Sequence, residues 1–323
     1  MTSLSVVIPV YNAEKTISDL CRSLMTILAG DYRLEIVLIN DCSNDGTDTI
    51  CKALQAEFPQ TIAYARLSRN FGEHNAVMAG LNQARGDYVV IMDDDFQNPP
   101  EEVPRLVAEI QKGFDVVYCQ YPEKKDGFFR NLGSYLNGSM ARVILDKPAN
   151  LYLSSFKAIN RFIVNEVITY KNPRPYLDAI ILRITRSIST IEVRHDQRRA
   201  GSSGYTFKKL VALWGDMLVS YSLIPLRIVA IFGVILTLLG CYSVAEMLVQ
   251  NLNPTMHDPS DLEELTSVSL FFRGFQLFAT GIVGEYVGRI YLKLNQEPQY
   301  IIREKLSDLP ERRAERGDRR GKA

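Results

Sequence analysis

Short apolar runs alternate with longer amphipathic stretches from the N-terminus to about residue 120. The apolar runs, rich in β-branched residues, cover 6–10, 35–40, 61–67, 88–92 and 115–119. The stretches with apolar residues at helical spacing cover 14–28, 47–58, 72–84 and 100–112. Strands that alternate with helices predict an α/β domain with a mostly parallel sheet and helices on both faces.

Polar residues follow four of these predicted strands. They are Tyr11 and Asn12, Asp41, the stretch 68–70, and Asp93 to Asp95. In open α/β sheets, ligands bind beyond the carboxyl ends of the strands. We therefore expect these four segments to meet at one edge of the sheet and to form one site there.

The most acidic of these segments is Asp93-Asp94-Asp95, with Gln97 close behind. Three carboxylates at the end of a buried strand are costly unless a cation compensates them. Oxygen ligands suit Mg²⁺ or Mn²⁺, which commonly bridge carboxylates to phosphate oxygens. The triplet thus predicts a divalent-metal site that holds a nucleotide diphosphate, and the alternative is a solvated acidic turn.

Composition narrows the classes of function. Lys plus Arg number 37 and Asp plus Glu number 37, so no net charge favours nucleic acid as a partner. Five cysteines without a Cys-x-x-Cys pair, and only three histidines, disfavour a zinc site and predict reduced thiols. The chain begins with a strand and without a basic, apolar leader, so no secretory signal peptide is expected.

The second half of the chain is much more apolar. Segments 225–249 and 266–288 predict two transmembrane helices that form a hairpin, and the alternative for the first is a buried globular helix. The loop 250–265 is acidic, whereas both outer flanks are basic. By the positive-inside rule, the α/β domain (1–203) and the basic tail face the cytoplasm. Residues 204–224 predict an interfacial amphipathic helix, and the alternative is a helix packed on the domain. Residues 289–323 predict a juxtamembrane helix and a basic tail.

Five segments in chain order carry a family resemblance: 5–12, 40–47, 67–72, 93–101 and 284–291. Together with the hairpin they resemble the family-2 glycosyltransferases of the GT-A fold. The similarity is strongest to the polyprenyl-phosphate glycosyltransferases that carry a C-terminal two-span anchor. It extends to about residue 305.

The resemblance implies a role for each residue of the predicted sheet edge. The residues that would bind the nucleotide are Pro9, Tyr11, Asn12, Glu14, Asp41, Asn70, Asp93 and Asp94. Asp95 and Gln97 would bind the cation, Mg²⁺ or Mn²⁺, which offsets the charge of the leaving diphosphate. The alternatives are an ordinary strand-to-helix turn for the first loop and a structural loop around Asn70.

Two further groups follow from the resemblance. Arg130 and Ser134 would bind the acceptor phosphate, and the alternative for them is a solvated helix face. A loop that would close over the diphosphate contains Arg198, Arg199, Ser203 and Tyr205.

The catalytic residues implied in this way are Asp95, Arg130 and Asp178, although Asp178 also suits a structural role at a helix start. Ser155 stands where several relatives carry Asp as a base. A phosphate monoester with a second pKa of about 6 is mostly dianionic at neutral pH, so it needs no strong base.

These features predict an inverting glycosyltransferase that moves one sugar from a nucleotide sugar, UDP-linked, to polyprenyl (undecaprenyl) phosphate. The reaction would take place at the cytoplasmic face of the inner (plasma) membrane and feed cell-envelope glycan or lipid modification. Both termini would be cytoplasmic, and self-association into a homo-oligomer is expected. The alternatives are a membrane glycosyltransferase with a glycan or protein acceptor, and a non-enzymatic membrane partner protein.

Overall fold

The computed structural model describes residues 1–121, 151–173, 175–194 and 298–307, and scattered helical positions between 272 and 290. The elements of the first part are β1 (Thr2–Val10), α1 (Ile17–Leu28), β2 (Tyr32–Asn40), α2 (Thr47–Glu57), β3 (Ile62–Leu67), α3 (Glu73–Gln83), β4 (Tyr88–Ile91), a 3₁₀ turn (Pro100–Glu102), α4 (Val103–Ile110) and β5 (Val116–Gln120). Each strand and helix predicted in this part of the sequence is present, which confirms the α/β interpretation.

Five more elements follow that the sequence pattern did not predict. They are β6 (Lys157–Asn160), α5 (Arg161–Val167), α6 (Leu177–Ile184), β7 (Ile188–Glu192) and β8 (Ile302–Leu306). The strand β8 lies within the segment expected to form the juxtamembrane helix and tail. From Arg303 onwards, exposed and partly buried residues alternate, and this period of two suits an edge strand.

The eight strands form one sheet in the order β7-β5-β6-β4-β1-β2-β3-β8. The central strands β1 to β4 are mutually parallel, with Val10 paired to Asn40 at their carboxyl ends. β6 runs antiparallel to both β4 and β5, and β8 runs antiparallel to β3. The sheet is therefore mixed, and its antiparallel strands lie outside the predicted parallel centre.

Helices cover both faces of the central strands, and the side chains of β1 are therefore buried on both faces. Leu4, Val6 and Ile8 pack in one cluster with residues of α1 and α4. On the other face, α3 lies very close to β1 at Gly80: a Cβ at this position would come 2.3 Å from Val7 Cγ1. This close approach sets the distance between α3 and the sheet, and α3 begins at the carboxyl edge because it follows the end of β3.

β7 and β8 are the two opposite edges of the sheet. β7 is parallel to β5, so it ends at the same edge of the sheet as β4. β8 begins beside the end of β3, with Ile302 opposite Leu67. The chain between β7 and β8 thus leaves and rejoins the sheet at its carboxyl edge.

The chain divides into two compact units, one of 1–135, 147–204 and 297–323 and the other of 136–146 and 205–296. Within the described residues, no helix combines the length and the apolar character needed to cross a bilayer. The predicted segments 204–224, 225–249 and 250–265 lie outside the described residues, and only scattered positions of 266–288 are described.

Candidate active site

The carboxyl ends of β1, β2, β3 and β4 meet at one edge of the sheet, as predicted. The start of β6 joins them there, because Lys157 pairs with Ile91 across the antiparallel ladder. This edge brings together the polar segments after the first four strands. It also adds Lys157 of β6, which the sequence did not associate with them, and Asp178 of α6, which the resemblance named as a catalytic residue.

The loops after β1 and β2 are held together by hydrogen bonds. Asn12, in the left-handed region at φ 54°, donates its backbone N–H to Ser43 Oγ at 3.0 Å and accepts from the Asn44 N–H at 2.9 Å. Glu14 Oε2 accepts from the Gly46 N–H at 2.9 Å. Tyr11 is 46% exposed, so its ring is accessible to a ligand. Of the residues predicted to bind the nucleotide, Tyr11 and Asn12 therefore frame an open surface, and Glu14 stabilises its rim.

Two other residues of the predicted nucleotide pocket are buried. Pro9 lies inside β1, opposite Ile39 of β2. Asp41 is only 3% exposed, and its two oxygens accept from the backbone N–H groups of Phe71 and Gly72 at 2.7 and 2.8 Å. Burial raises the pKa of Asp41, and the two amide bonds oppose that rise. Asp41 therefore fixes the loop between β3 and α3.

That loop exposes the polar residues predicted beside the nucleotide. Asn70 is exposed. The Arg69 guanidinium lies over the Phe71 ring, 4.7 Å from its centroid. The loop thus presents Asn70 at the site edge.

The three aspartates after β4 make different contacts. Asp93 Oδ2 accepts from Ser155 Oγ at 2.7 Å, and Asp94 Oδ2 accepts from the Tyr11 N–H at 3.0 Å. Asp95 is 8% exposed, and its Oδ1 accepts from the Gln97 N–H at 3.0 Å. Asp94 is thus turned towards the loop after β1, whereas Asp93 is turned towards the segment before β6.

The residues that the structure describes compensate the charge of Asp93 and Asp94 poorly. Burial raises the pKa of Asp93 to about 7, and repulsion from Glu73 and Asp95 adds to the effect. Burial also raises the pKa of Asp94 to about 7, with repulsion from Asp93 and Asp95. Neither carboxylate forms an ion pair within the described part of the chain. A bound cation would stabilise such a triplet.

The donor set fits a hard divalent ion, because it consists of carboxylate and amide oxygens. Asp95 and Gln97 lie in one tight turn, which the Asp95–Gln97 hydrogen bond closes. In the described ranges, no three His, Cys, Asp or Glu side chains are grouped to hold a metal ion between them.

A buried ion pair lies on the β6 side of the triplet. Lys157 and Asp178 form it, with side chains 3% and 7% exposed. Tyr118 donates its hydroxyl to Asp178 Oδ1 at 2.9 Å, and the Lys157 ammonium lies 5.0 Å from the centre of the Tyr118 ring. Asp178 sits in the first turn of α6. These contacts agree with the structural alternative for Asp178, and its catalytic role stays a prediction.

Residues 122–150 and 195–271 are outside the described part of the structure. The predicted site residues in these ranges are Arg130, Ser134, Arg198, Arg199, Ser203 and Tyr205. Sequence reasoning missed one residue of the site, Lys157. It is a single charged residue in an ordinary stretch, so only the folded chain reveals its neighbours.

Comparison with known proteins identifies the family. The family model for glycosyl transferase family 2 matches residues 5–168. The chain belongs to this family. It is similar to the undecaprenyl-phosphate 4-deoxy-4-formamido-L-arabinose transferases of Enterobacter sp. (strain 638), at 33% identity over 94% of both chains, and of Proteus mirabilis (strain HI4320), at 32% identity over 94% of this chain and 93% of that one.

The fold of this family-2 glycosyltransferase is shared with a solved structure. It is similar to crystallised glucosyl-3-phosphoglycerate synthase from Mycobacterium tuberculosis, with a TM-score of 0.51 and 19% identity over 68% of this chain and 78% of that chain. Family and fold together confirm the predicted GT-A glycosyltransferase domain, and the chain is a glycosyltransferase.

Proposed function

We propose that this glycosyltransferase moves one sugar from a UDP-sugar to a polyprenyl phosphate, undecaprenyl phosphate in a bacterial membrane. The observation that carries the proposal is the acidic strand end beside the loops of β1 and β2. Relatives that match 94% of the chain are named as undecaprenyl-phosphate sugar transferases, which supports the acceptor.

The donor would lie along the carboxyl edge, with its nucleoside over the loops of β1 and β2. The exposed Tyr11 ring and the Asn12, Asp41 and Asn70 segments surround that position. The solved relative is described with Mn²⁺ and UDP, which supports a cation held by Asp95 and Gln97. When bound, Mg²⁺ or Mn²⁺ supplies positive charge to the diphosphate as the nucleotide leaves.

The acceptor phosphate oxygen would attack the anomeric carbon in line with the departing UDP. The new carbon–oxygen bond forms as the bond from that carbon to the diphosphate oxygen breaks, which inverts the anomeric configuration. The acceptor is mostly dianionic near neutral pH, so the reaction needs no strong general base, and Ser155 can stand where relatives carry Asp. We assign acceptor binding to Arg130 and Ser134, and closure over the diphosphate to Arg198, Arg199, Ser203 and Tyr205.

A lipid acceptor requires the site to lie near a bilayer. Three exposed apolar residues, Val283, Val287 and Ile290, occupy helical positions at spacings of four and three, which gives one apolar stripe. This stripe supports a membrane-anchored enzyme. The basic flanks and the acidic loop 250–265 support a catalytic domain and termini on the cytoplasmic side of the inner membrane.

The decisive test incubates membranes that contain the enzyme with undecaprenyl phosphate and a panel of radiolabelled nucleotide sugars. We expect one labelled product that extracts with lipid and releases its sugar on mild acid treatment. A labelled glycan or protein would favour the alternative acceptor classes. Failure of every donor to react would favour a non-enzymatic partner protein.

Replacement of a metal ligand tests the same proposal at one residue. We expect Asp95→Asn to lower the rate of transfer about 10²- to 10³-fold, since the variant weakens electrostatic stabilisation of the leaving group. The matched control is Asp31→Asn, an exposed carboxylate in the loop before β2, which should leave the rate unchanged. EDTA should abolish transfer by the unaltered enzyme, and full activity in EDTA would contradict the cation's role.

A further inference from the structure

The metal turn (residues 95–98), which carries the predicted cation ligands Asp95 and Gln97, contains a strained residue. Phe96 lies between the two ligands and has a φ of 61°, in the left-handed region that bulky residues rarely adopt. Strain of this kind persists only where the surrounding structure enforces it. The contacts that hold the metal turn therefore determine how Asp95 and Gln97 present their oxygens.

The metal turn is held at its middle and at its end. The Phe96 side chain is 6% exposed and belongs to the hydrophobic core. Asn98 is 2% exposed, and its Oδ1 accepts from the Tyr121 hydroxyl at 2.7 Å. The hydrogen bond from the Gln97 N–H to Asp95 Oδ1 closes the turn between these two anchors. The Tyr121–Asn98 hydrogen bond thus ties the end of the metal turn to the end of β5.

The same tyrosine hydroxyl reaches the segment before β6. It lies 3.2 Å from Ser154 Oγ, which donates to the Phe156 carbonyl at 2.9 Å and accepts from the Phe156 N–H at 3.1 Å. The next residue, Ser155, donates to Asp93 Oδ2 at 2.7 Å. One hydroxyl group therefore lies between the metal turn and the segment that contacts the first aspartate of the triplet.

Tyr121 itself has a defined position. It directly follows Gln120, the last residue of β5, which pairs with Glu192 of β7 and accepts from the Val193 N–H at 3.1 Å. The Tyr152 ring meets the Tyr121 ring edge-on, with 5.8 Å between the ring centres. The sheet and the ring contact together fix the direction from which the hydroxyl approaches Asn98.

We propose that Tyr121 is a positioning residue for the cation, because its hydrogen bond to Asn98 holds the metal turn in the geometry that binds Mg²⁺ or Mn²⁺. The inference rests on the proposed function, in which the cation stabilises the leaving diphosphate. Tyr121 acts through Asn98 and contacts neither predicted ligand by this bond. Replacement of groups that orient metal ligands typically lowers metal affinity or activity about 10- to 100-fold.

Tyr121→Phe tests this inference in the full-length enzyme, because it keeps the ring and removes only the hydroxyl. Electron paramagnetic resonance, which detects free Mn²⁺, gives the apparent dissociation constant of Mn²⁺ at a fixed concentration of UDP. We expect Tyr121→Phe to raise this constant about tenfold. The affinity for UDP in EDTA should stay within about twofold, because the loops after β1 and β2 are unaltered. A higher Mn²⁺ concentration should restore most of the transfer rate, which it would not do for a loss of folded protein.

Two further variants make the test specific. Tyr32→Phe is the matched control: Tyr32 begins β2 opposite Thr2, at the other end of the strands, so Mn²⁺ affinity should not change. Asn98→Ala should weaken Mn²⁺ binding as Tyr121→Phe does. The double variant Tyr121→Phe/Asn98→Ala should bind Mn²⁺ no more weakly than Asn98→Ala alone, because both substitutions remove the same hydrogen bond.

The outcomes separate the inference from the proposed function. Unchanged Mn²⁺ affinity in Tyr121→Phe, with intact UDP binding, would overturn the inference alone. Additive effects of the two substitutions, or an equal loss in Tyr32→Phe, would overturn it as well. If Tyr121→Phe weakens Mn²⁺ binding as expected but the unaltered enzyme labels no lipid with any nucleotide sugar, the proposed function fails and the inference stands.

Discussion

Lys157 and Asp178 are charged residues in a nearly dry environment beside an acidic site. Their attraction and the Tyr118 hydroxyl offset the cost of removing both charges from water. Removal of one partner would leave the other buried without compensation. At the residue scale, the Lys157–Asp178 ion pair therefore stabilises the folded structure next to the end of β4, which carries the aspartate triplet.

We expect Asp178→Asn and Lys157→Met each to lower the free energy of unfolding by about 3–5 kcal/mol. The double variant Lys157→Met/Asp178→Asn should lose clearly less than the sum of the single losses, because no uncompensated charge remains. Urea unfolding of the three variants measures these differences. Additive losses would contradict the view of the pair as one unit.

His74 gives a pH dependence with a definite sign. Burial lowers its pKa, Lys157 lowers it further, and Asp178 opposes the effect. The unfolded chain therefore binds a proton below a pH of about 6.5 that the folded chain does not bind. The stability from His74 is fully present above that pH and is lost as the pH falls towards the depressed pKa.

Burial raises the pKa of Asp93 and Asp94 to about 7, so the folded chain takes up protons there as the pH falls, and these two groups make the free energy of unfolding rise. We expect His74 to oppose that rise between about pH 6.5 and pH 5, where histidine of the unfolded chain becomes protonated. His74→Gln should remove this opposition, because glutamine does not titrate, so the variant should gain more stability than the unaltered enzyme as the pH falls. Denaturant unfolding at four or five pH values measures both curves. The same slope in the variant would assign the pH dependence to other groups.

The close packing of α3 against the sheet depends on one glycine, Gly80. A Cβ at Gly80 would lie 2.3 Å from Val7 Cγ1 and 3.3 Å from Ile39 Cγ1, so the helix could not keep its distance from the sheet. Because the loop that presents Asn70 leads into the same helix, a shift of α3 would also move that loop. Packing of this element and geometry of the site are therefore linked.

We expect Gly80→Ala to lower the free energy of unfolding by about 1–3 kcal/mol through overpacking. Addition of Val7→Ala should recover part of the loss, since it removes the methyl group that the new Cβ meets. Gly30→Ala, with no atom within 4 Å of its Cβ position, is the matched control and should change little. An unchanged free energy of unfolding in Gly80→Ala would contradict the close approach of α3 to β1.

The sequence predicted the elements with dense apolar runs in the first 120 residues, and among later elements it missed the short or charged strands and also the apolar helix α6. β1 and β2 bury seven consecutive residues each, which gives a strong local signal. β8, with the sequence Ile-Arg-Glu-Lys-Leu, gives only a weak local signal, and its partner β3 is far away in the chain. The same reason applies to the site: the Asp93–Asp95 triplet is a local pattern, whereas its meeting with Lys157 depends on tertiary contacts.

At the scale of the whole molecule, β8 completes the sheet after a long excursion of the chain. Its Glu304 binds Lys52 at 2.7 Å, and Lys52 binds Asp48 at 3.2 Å. Asp48 also accepts from Tyr64, which in turn receives a hydrogen bond from Asn40 at the end of β2. Without β8, β3 would be an open edge strand, which favours association with other chains.

A pair of truncations tests this role. We expect the chain that ends at residue 297 to unfold at a lower temperature and to aggregate, because it lacks β8. The chain that ends at residue 307 keeps β8 and should behave like the full-length protein. Differential scanning fluorimetry and light scattering compare them. Equal stability of the two truncated chains would show that the β3 edge needs no cover.

The opposite-edge placement of β7 and β8 sets a condition for engineering this enzyme. Seven inter-strand steps of about 4.8 Å separate them, a gap of roughly 34 Å. A catalytic domain freed of residues 195–297 needs a replacement connection of about 10 fully extended residues at the least. A relaxed glycine-serine connection needs about 40 to bridge that gap without tension. A shorter graft would pull one outer strand away from its neighbour and open the sheet beside the substrates.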